Sequence, residues 1–347
     1  MSRGAASPSA GGPRPADGGR RHGLQDGLPD GEARGRRGRP DTEAGRSYYG
    51  QPVLNPPTWA ALDIAGYLFL GGLAGGSSAL AAATDAKGLE GLARPLRMGA
   101  AGAIGLSLVA LVHDLGRPGR FYNMLRVFKP SSPMSVGSWI LSVYGPAAIG
   151  AAVLDVVPLP GRLAGARRPL QKAASVTAGL IGPVVTTYTG VLVADTAVPA
   201  WHGGYREMPF LFAGSAGSAS GGLGLLTVSP ARAAPARRLA VAGAVAELTA
   251  LRVMKARMGL AAETYDQGRA GRLMKAAEAL TVAGAAGAVA GRRSRLASAA
   301  TGACLLAGSA LTRFGVFQAG MQSAEDPRYI VEPQRERLAA RSGLPST

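Results

Sequence analysis

The sequence has almost no cysteine and very little histidine. Cys304 is the only cysteine among 347 residues, so this chain can hold neither an iron–sulfur cluster of its own nor an internal disulfide bond. The histidines are His22, His113 and His202, and none is predicted to lie in the interior of an apolar segment. Bis-histidine haem needs two imidazoles that face each other inside a bundle, which this distribution does not favour. We therefore predict no haem, no iron–sulfur cluster and no other metal in this chain.

Large apolar residues are almost absent from residues 1–47. This segment consists mostly of Gly, Pro, Arg, Ala and Asp, and it cannot bury enough surface to offset the entropy of an ordered chain. It lacks the apolar stretch of a signal peptide, and none follows Arg36-Arg37. We predict a disordered Arg/Gly/Pro-rich tail at 1–47. The formal charge of +17 is not accompanied by a nucleic-acid-binding motif, so no nucleic-acid partner is predicted.

After the tail, charged residues become scarce within long apolar segments. Most of these segments are long enough to cross about 30 Å of hydrocarbon as helices, and they lack the charged face of a soluble amphipathic helix. Their Gly, Ala and Ser content allows the close helix packing found in membranes. We predict an all-α integral membrane bundle of eight transmembrane helices in a domain at 48–324, followed by a C-terminal tail at 325–347. The predicted helices lie at about 59–84, 96–113, 135–157, 172–195, 208–229, 237–255, 272–290 and 295–317.

An even number of helices places both chain termini on one side of the membrane, which we call the N-side. All three tryptophans and most Tyr and Phe residues lie at or beyond the N-side helix ends, whereas the connectors at the opposite end carry no aromatic ring. Since aromatic belts normally occur at both interfaces, one face is specialised. In the N-side connector 113–139, basic residues alternate with aromatic and apolar ones, a pattern that suits a docked partner or lipid headgroups. The residues predicted to dock a partner are Arg117, Arg120, Phe121, Arg126 and Lys129.

Polar groups within the predicted helices lie toward the same side. Asp63 and Tyr67 are four residues apart and share one helix face. Tyr67 lies roughly 12 Å and Tyr188 about 10 Å from the N-side ends of their helices, at about 1.5 Å per residue, so the two phenols reach a common depth. Glu247 and Glu278 lie within later helices, where ionisable groups usually face the bundle interior. This inventory suits a quinone, whose ring needs apolar walls and whose carbonyl oxygens need hydrogen bonds and protons.

Four segments carry a resemblance to a known family. YGQP at 49–52, YLFLGGLAGG at 67–76, DLGRPGRFYNMLRVFKPSSPMSVGSW at 114–139 and YTG at 188–190 resemble the NrfD/PsrC family, the membrane subunits of polysulfide-reductase-like molybdoenzyme complexes. The resemblance implies a multi-pass protein of the cell membrane that passes electrons between exchangeable menaquinone and a four-cluster ferredoxin-like iron–sulfur subunit. That subunit is itself expected to bind a molybdopterin catalytic subunit.

Only some of the family's site residues are matched in this sequence. The family's quinone-contacting tyrosine matches Tyr188, whereas the Asn and His of its first helix fall on Ile64 and Tyr67. Tyr67 can donate a hydrogen bond to a quinone carbonyl, and the adjacent Asp63 can supply the missing protonic group. We therefore predict that Tyr67, Tyr188 and Asp63 contact the quinone. The predicted proton-relay residues are Asp114, His113, Asp195, Glu247 and Glu278.

Two other functions remain open at this point. A non-catalytic membrane scaffold would keep the docking face without a working pocket. A proton-translocating or transport subunit would also need buried acids, although no convincing inverted repeat is visible. Lys and Arg residues are nearly balanced between the two sides, so the sequence does not decide the membrane orientation.

Overall fold

The computed structural model describes residues 54, 57, 59–114, 119, 121–126, 128–290 and 294–342. Within these ranges the chain is helical, and eight helices have 20 residues or more. The long helices are α1 (Ala61–Asp85), α2 (Glu90–Asp114), α4 (Pro133–Val156), α5 (Arg167–Ala194), α7 (Met208–Thr227), α8 (Ala234–Arg257), α9 (Gly268–Ala290) and α10 (Arg295–Glu325). The short ones are α3 (Phe121–Met124), α6 (Pro199–Gly203) and α11 (Arg328–Ser342).

The long helices correspond one to one with the predicted ones, but several extend further. The predicted second helix begins at 96, whereas α2 begins at Glu90; the predicted eighth ends at 317, whereas α10 continues to Glu325. The sequence analysis placed each helix end where apolar residues stop. Apolar residues show which part of a helix lies in the bilayer, whereas the helix itself continues for as long as its backbone hydrogen bonds do. The predicted C-terminal tail likewise contains α11. The predicted N-terminal tail lies outside the described residues.

The count of eight membrane spans is only partly supported. Among the described residues, six helices are long and apolar enough to cross a membrane: α1, α2, α4, α5, α9 and α10. Helix α7 is rich in Gly and Ser and is mostly buried against other helices, so it needs little apolar surface toward lipid. Helix α8 carries Arg and Lys residues near both ends and a buried glutamate in the middle.

Several helix starts follow from capping chemistry. Ser132 precedes α4, and its Oγ accepts a hydrogen bond from the backbone N–H of Ser135 at 3.4 Å. Ser294 precedes α10 and accepts one from the N–H of Ala297 at 3.3 Å. Proline occupies the first turn of α4, α6, α7 and α8, where its missing N–H has no helical partner to lose.

Glycines on α1 allow this helix to pack closely against its neighbours. Helix α1 contacts α2, α5, α7 and α10. A Cβ atom at Gly75 would lie 2.5 Å from the carbonyl oxygen of Gly182 on α5, and one at Gly76 would lie 3.0 Å from the carbonyl oxygen of Ala216 on α7. Only glycine permits such contacts between backbones. The glycine pairs of the first helix therefore place α1 in the middle of the bundle.

Successive long helices run in opposite directions, which gives the bundle an N-side end and an opposite end. Contacts across each end support this arrangement. At the N-side end the Trp59 and Trp201 rings stack at 5.6 Å, and at the opposite end Arg97 of α2 binds Asp155 of α4. The aromatic pairs among the described residues all lie at the N-side, as the sequence predicts.

Candidate functional site

Two buried tyrosines meet near the N-side end of the bundle. The hydroxyl of Tyr67 on α1 is hydrogen-bonded to the hydroxyl of Tyr188 on α5, and the two residues are 4% and 8% exposed. The sequence predicts that both phenols reach a common depth, and the packing of α5 on α1 brings them into direct contact. The two predicted quinone-contacting tyrosines therefore form one group.

The tyrosine pair is held from two sides. Ser107 of α2 donates a hydrogen bond to the backbone carbonyl of Tyr67 at 3.1 Å. Gly137 of α4 lies against the Tyr188 ring, because a Cβ there would stand 2.5 Å from Cε2 of that ring. Sequence reasoning missed Gly137, although it belongs to the VGSW end of the segment that resembles the family. A larger residue at this position would displace the Tyr188 ring.

Asp63 and His113 connect the first turn of α1 to the N-side surface. The Asp63 Oδ2 atom is 2.9 Å from Nδ1 of His113, the side chain of which is 77% exposed, against 18% for Asp63. Asp114 lies beside this pair and interacts electrostatically with both of its members. Three of the predicted proton-relay and quinone-site residues thus form a continuous acidic and imidazole group one helical turn from Tyr67.

The other predicted relay residues lie apart from this group. Asp195 is exposed at the C-terminal end of α5. Glu278 on α9 is 4.0 Å from Arg252 of α8 and is partly exposed. Glu247 is buried on α8 and accepts hydrogen bonds from Thr312 at 2.7 Å and from Ser218 at 3.2 Å.

Glu247 belongs to a second buried polar cluster, formed by α7, α8 and α10. Its cation is Arg313, which is fully buried, stacks over the Phe212 ring at 3.8 Å and donates to the Phe212 carbonyl at 2.8 Å. A Cβ at Gly72 of α1 would lie 3.4 Å from Nη2 of Arg313, so this cluster touches the helix that carries Tyr67. Two nitrogen atoms of Arg313 have no hydrogen-bond partner among the described residues.

A further phenol was not predicted. Tyr144 of α4 is fully buried, and its hydroxyl is 2.8 Å from the Ser78 hydroxyl of α1. Both residue types are common in membrane helices, so their sequence positions gave no signal. Tyr144 lies seven residues after Gly137, about 10 Å further along α4 at about 1.5 Å per residue.

The predicted docking surface is described only in part. Arg126 and Lys129 are exposed at the N-side connector. Arg117 and Arg120 lie outside the described residues, as does the side chain of Phe121 in α3. Beside the exposed residues, a cavity of about 250 Å³ lies between the connector and the first turns of α4, lined by Asn123, Met124, Lys129, Ser132, Met134, Ser135 and Ser138.

Another ion pair orders the N-side connector before α7. Arg257 donates two hydrogen bonds to the Glu207 carboxylate, at 2.7 and 2.5 Å, and one to the carbonyl of Gly203 at 2.9 Å. The hydrogen bonds from Arg257 hold the pKa of the Glu207 carboxyl below its usual value. Tyr205 stacks with His202 and lies 5.4 Å from the guanidinium of Arg257, so the pair is part of an aromatic and basic surface.

The helices and the buried polar groups define the class. Six described helices are able to span a bilayer, and the chain is a multi-pass membrane protein. The family model described as "Polysulphide reductase, NrfD" matches residues 52–286, so the chain belongs to the NrfD family, the membrane subunits of polysulfide-reductase-like complexes. The match confirms the resemblance seen in the sequence; it ends within α9 and leaves α10 and α11 outside. A comparison with curated proteins found no match.

Proposed function

We propose that this protein is the quinone-reactive membrane subunit of a molybdoenzyme complex. It passes electrons between menaquinone and a docked four-cluster iron–sulfur subunit, which serves a molybdopterin catalytic subunit. The observation that carries the proposal is the hydrogen-bonded pair of buried phenols, Tyr67 and Tyr188, at the N-side end of an apolar bundle. Membership of the NrfD family adds independent support.

The tyrosine pair fits the chemistry of a quinone headgroup. A quinone presents carbonyl oxygens, and a phenol hydroxyl is a neutral donor that can bind them within an apolar site. The two hydroxyls are hydrogen-bonded to each other here. When a quinone binds, one hydroxyl gives up this bond and donates to the quinone carbonyl instead. Such an exchange keeps the number of hydrogen bonds constant and carries little net cost.

The cavity beside α4, which neither Tyr67 nor Tyr188 lines, is where we place the quinone ring. It lies at the N-side turns of α4, the helix in which Gly137 packs against Tyr188. Its volume of about 250 Å³ is near the small end of ligand pockets and suits a ring whose isoprenoid tail extends into lipid. Ser138 lines this cavity and donates its hydroxyl to the Met134 carbonyl at 2.9 Å, so a quinone oxygen takes this hydroxyl in exchange for an existing bond.

The Asp63–His113 pair provides the route for protons. Oxidation of a quinol releases protons as well as electrons, and the electrons leave to the iron–sulfur subunit. Asp63 lies one turn from Tyr67, and His113 bridges Asp63 to the N-side water. Asp63 accepts a proton from the pocket, and His113 hands it to water. In quinone reduction the same residues carry protons inward.

The tyrosines can be tested in the purified complex. Tyr188→Phe and Tyr67→Phe remove one hydroxyl each, and we expect kcat/KM for quinol oxidation to fall about tenfold, the cost of one hydrogen bond to the reacting group. Tyr144→Phe is the matched control, since it removes a buried hydroxyl that bonds Ser78 instead, and we expect it to change the rate less than twofold. Full activity in both tyrosine variants of an intact complex would count against the site and favour the scaffold.

A further inference from the structure

A charged cavity lies at the opposite end of the bundle from the tyrosine pair. Its volume is about 440 Å³, and residues from the ends of α1, α2, α4 and α5 line it. Five of the lining residues are Arg or Lys and three are Asp or Glu. The function proposed above uses none of them.

Two of the acids in this cavity share one cation. Arg97 of α2 donates to Asp155 of α4 at 2.6 and 3.0 Å and lies 3.6 Å from Asp85 of α1. This triad ties three helices together and keeps a net charge of −1. Outside it, four cations accompany one acid, Glu90, so the five cations and three acids of the cavity leave a net charge of +2. Within the part of the chain that the structure describes, none of the four cations forms a salt bridge. They are Arg94, Arg167, Arg168 and Lys172.

One buried hydrogen-bond donor in the cavity has no acceptor. Gln171 is 9% exposed, yet its Nε2 atom has no hydrogen-bond partner among the described residues. An orphaned buried donor costs free energy, so this atom needs an occupant that satisfies it. Because the orphan is a donor, the occupant must offer oxygen acceptors.

We infer that this cavity binds a phosphate-bearing anion at the membrane surface, either a lipid headgroup or free phosphate. The four cations outside the triad supply the attraction, and the amide of Gln171 donates to a phosphate oxygen. Basic pockets between membrane helices bind anionic headgroups in this way. The cations outside the triad and Gln171 lie on α2 and α5, so the ligand holds these two helices together far from the quinone.

Thermal unfolding in nanodiscs tests the site and separates the two sources. One arm uses phosphatidylcholine nanodiscs with and without inorganic phosphate at constant ionic strength; the other replaces part of the lipid with phosphatidylglycerol in chloride buffer. We expect at least one anion to raise the unfolding midpoint of the wild-type protein. A shift with phosphatidylglycerol but not with phosphate identifies the headgroup, and a shift with phosphate in the phosphatidylcholine nanodiscs identifies the free anion.

Three variants decide whether the cavity is responsible. Arg94→Gln with Arg168→Gln removes two exposed cations without touching the Arg97 triad, and each lost cation should weaken binding about fivefold. Gln171→Leu should also reduce the shift. Arg162→Gln removes an exposed cation at the same end but outside the cavity, and it should behave as wild type. The inference fails if neither anion shifts the wild type, if the double variant shifts normally, or if the Arg162 variant loses the shift equally.

Discussion

Asp63 and Asp195 are both carboxylates near the N-side surface, but only one of them is connected to the tyrosine pair. Asp63 is bonded to His113 and lies one turn from Tyr67, whereas Asp195 is an exposed residue at the end of α5. This difference separates Asp63, which the sequence predicts as a quinone contact that supplies a protonic group, from Asp195, which it predicts as a relay residue. The comparison of their amide variants therefore tests the proposed proton route.

Asp63→Asn should lower the turnover number of quinol oxidation by about tenfold or more, because an amide cannot accept the released proton. Asp195→Asn should leave the turnover number unchanged. Steady-state kinetics of the two purified variant complexes measure this directly. Equal turnover in both variants would remove Asp63 from the route.

Glu207 gives a residue-scale prediction for pH and stability. Its pKa lies below the ordinary value of 4.5 because Arg257 binds the ionised form, so the pair stabilises the fold above that pH and loses this effect as the pH falls through the lowered pKa. We expect Glu207→Gln to cost about 1 kcal/mol at pH 7, a modest amount because the pair is partly exposed. Denaturant unfolding at several pH values should show wild type and variant converging in acid. A difference that stays constant into strong acid would contradict this explanation.

Individual site residues were predictable to different degrees. The depth of Tyr67 and Tyr188 follows from counting residues along each helix, so their common level was predicted. Their contact depends on which helices are neighbours, and uniform apolar sequences do not reveal that. Gly137 and the Tyr144–Ser78 pair were missed for the same reason, since each has meaning only after α4 is placed against α1 and α5.

At the scale of the elements, the crossing of α1 and α5 positions the tyrosine pair. Gly75→Ala places a methyl group against the carbonyl oxygen of Gly182, and we expect a loss of about 1–3 kcal/mol of stability together with a weaker tyrosine contact. Gly102→Ala on α2 is the control, because no atom lies within 4 Å of the added carbon and alanine favours helices. Chemical unfolding in detergent compares the two. If both substitutions have the same effect, the crossing does not need glycine at this position.

The existence of the long helices could be predicted from the sequence, but their ends and burial could not. Uncharged apolar runs located six of them, because such segments have few alternatives to a helix, and two runs interrupted by charged residues located α8 and α9. Helix α7 shows the limit of that reasoning. Its Gly and Ser residues have weakly apolar side chains, but their small size allows α7 to pack closely against α8. A Cβ at Gly214 would stand 2.5 Å from the backbone nitrogen of Glu247.

At the scale of the whole molecule, we expect α7 and α8 to cross the membrane as a pair. If they do, the connector between them lies on the same side as the connector between α1 and α2. Single cysteines can be placed in a Cys304→Ser background at exposed positions of four connectors. They are Lys87 and Arg232 at the opposite end, and Arg206 and Gln267 at the N-side.

We expect a membrane-impermeant maleimide to label Lys87→Cys and Arg232→Cys from one side of sealed vesicles, and Arg206→Cys and Gln267→Cys from the other. We expect this because α7 is buried among other helices, so it can cross the membrane with little apolar surface facing lipid. Labelling of Arg232→Cys from the same side as Arg206→Cys would leave only six spans.

Helix α10 has 31 residues and is about 46 Å long at about 1.5 Å per residue, whereas the hydrocarbon layer needs only about 30 Å. Its surplus end binds α6: Trp201 donates to the Val316 carbonyl at 2.8 Å, and the Ala200 N–H donates to Ser323 at 3.1 Å. Helix α10 therefore braces the N-side segment Pro199–Gly203 through its last turns. Under the proposed function, such a brace would keep constant the distance that electrons cross between a quinone and a cluster in a docked subunit.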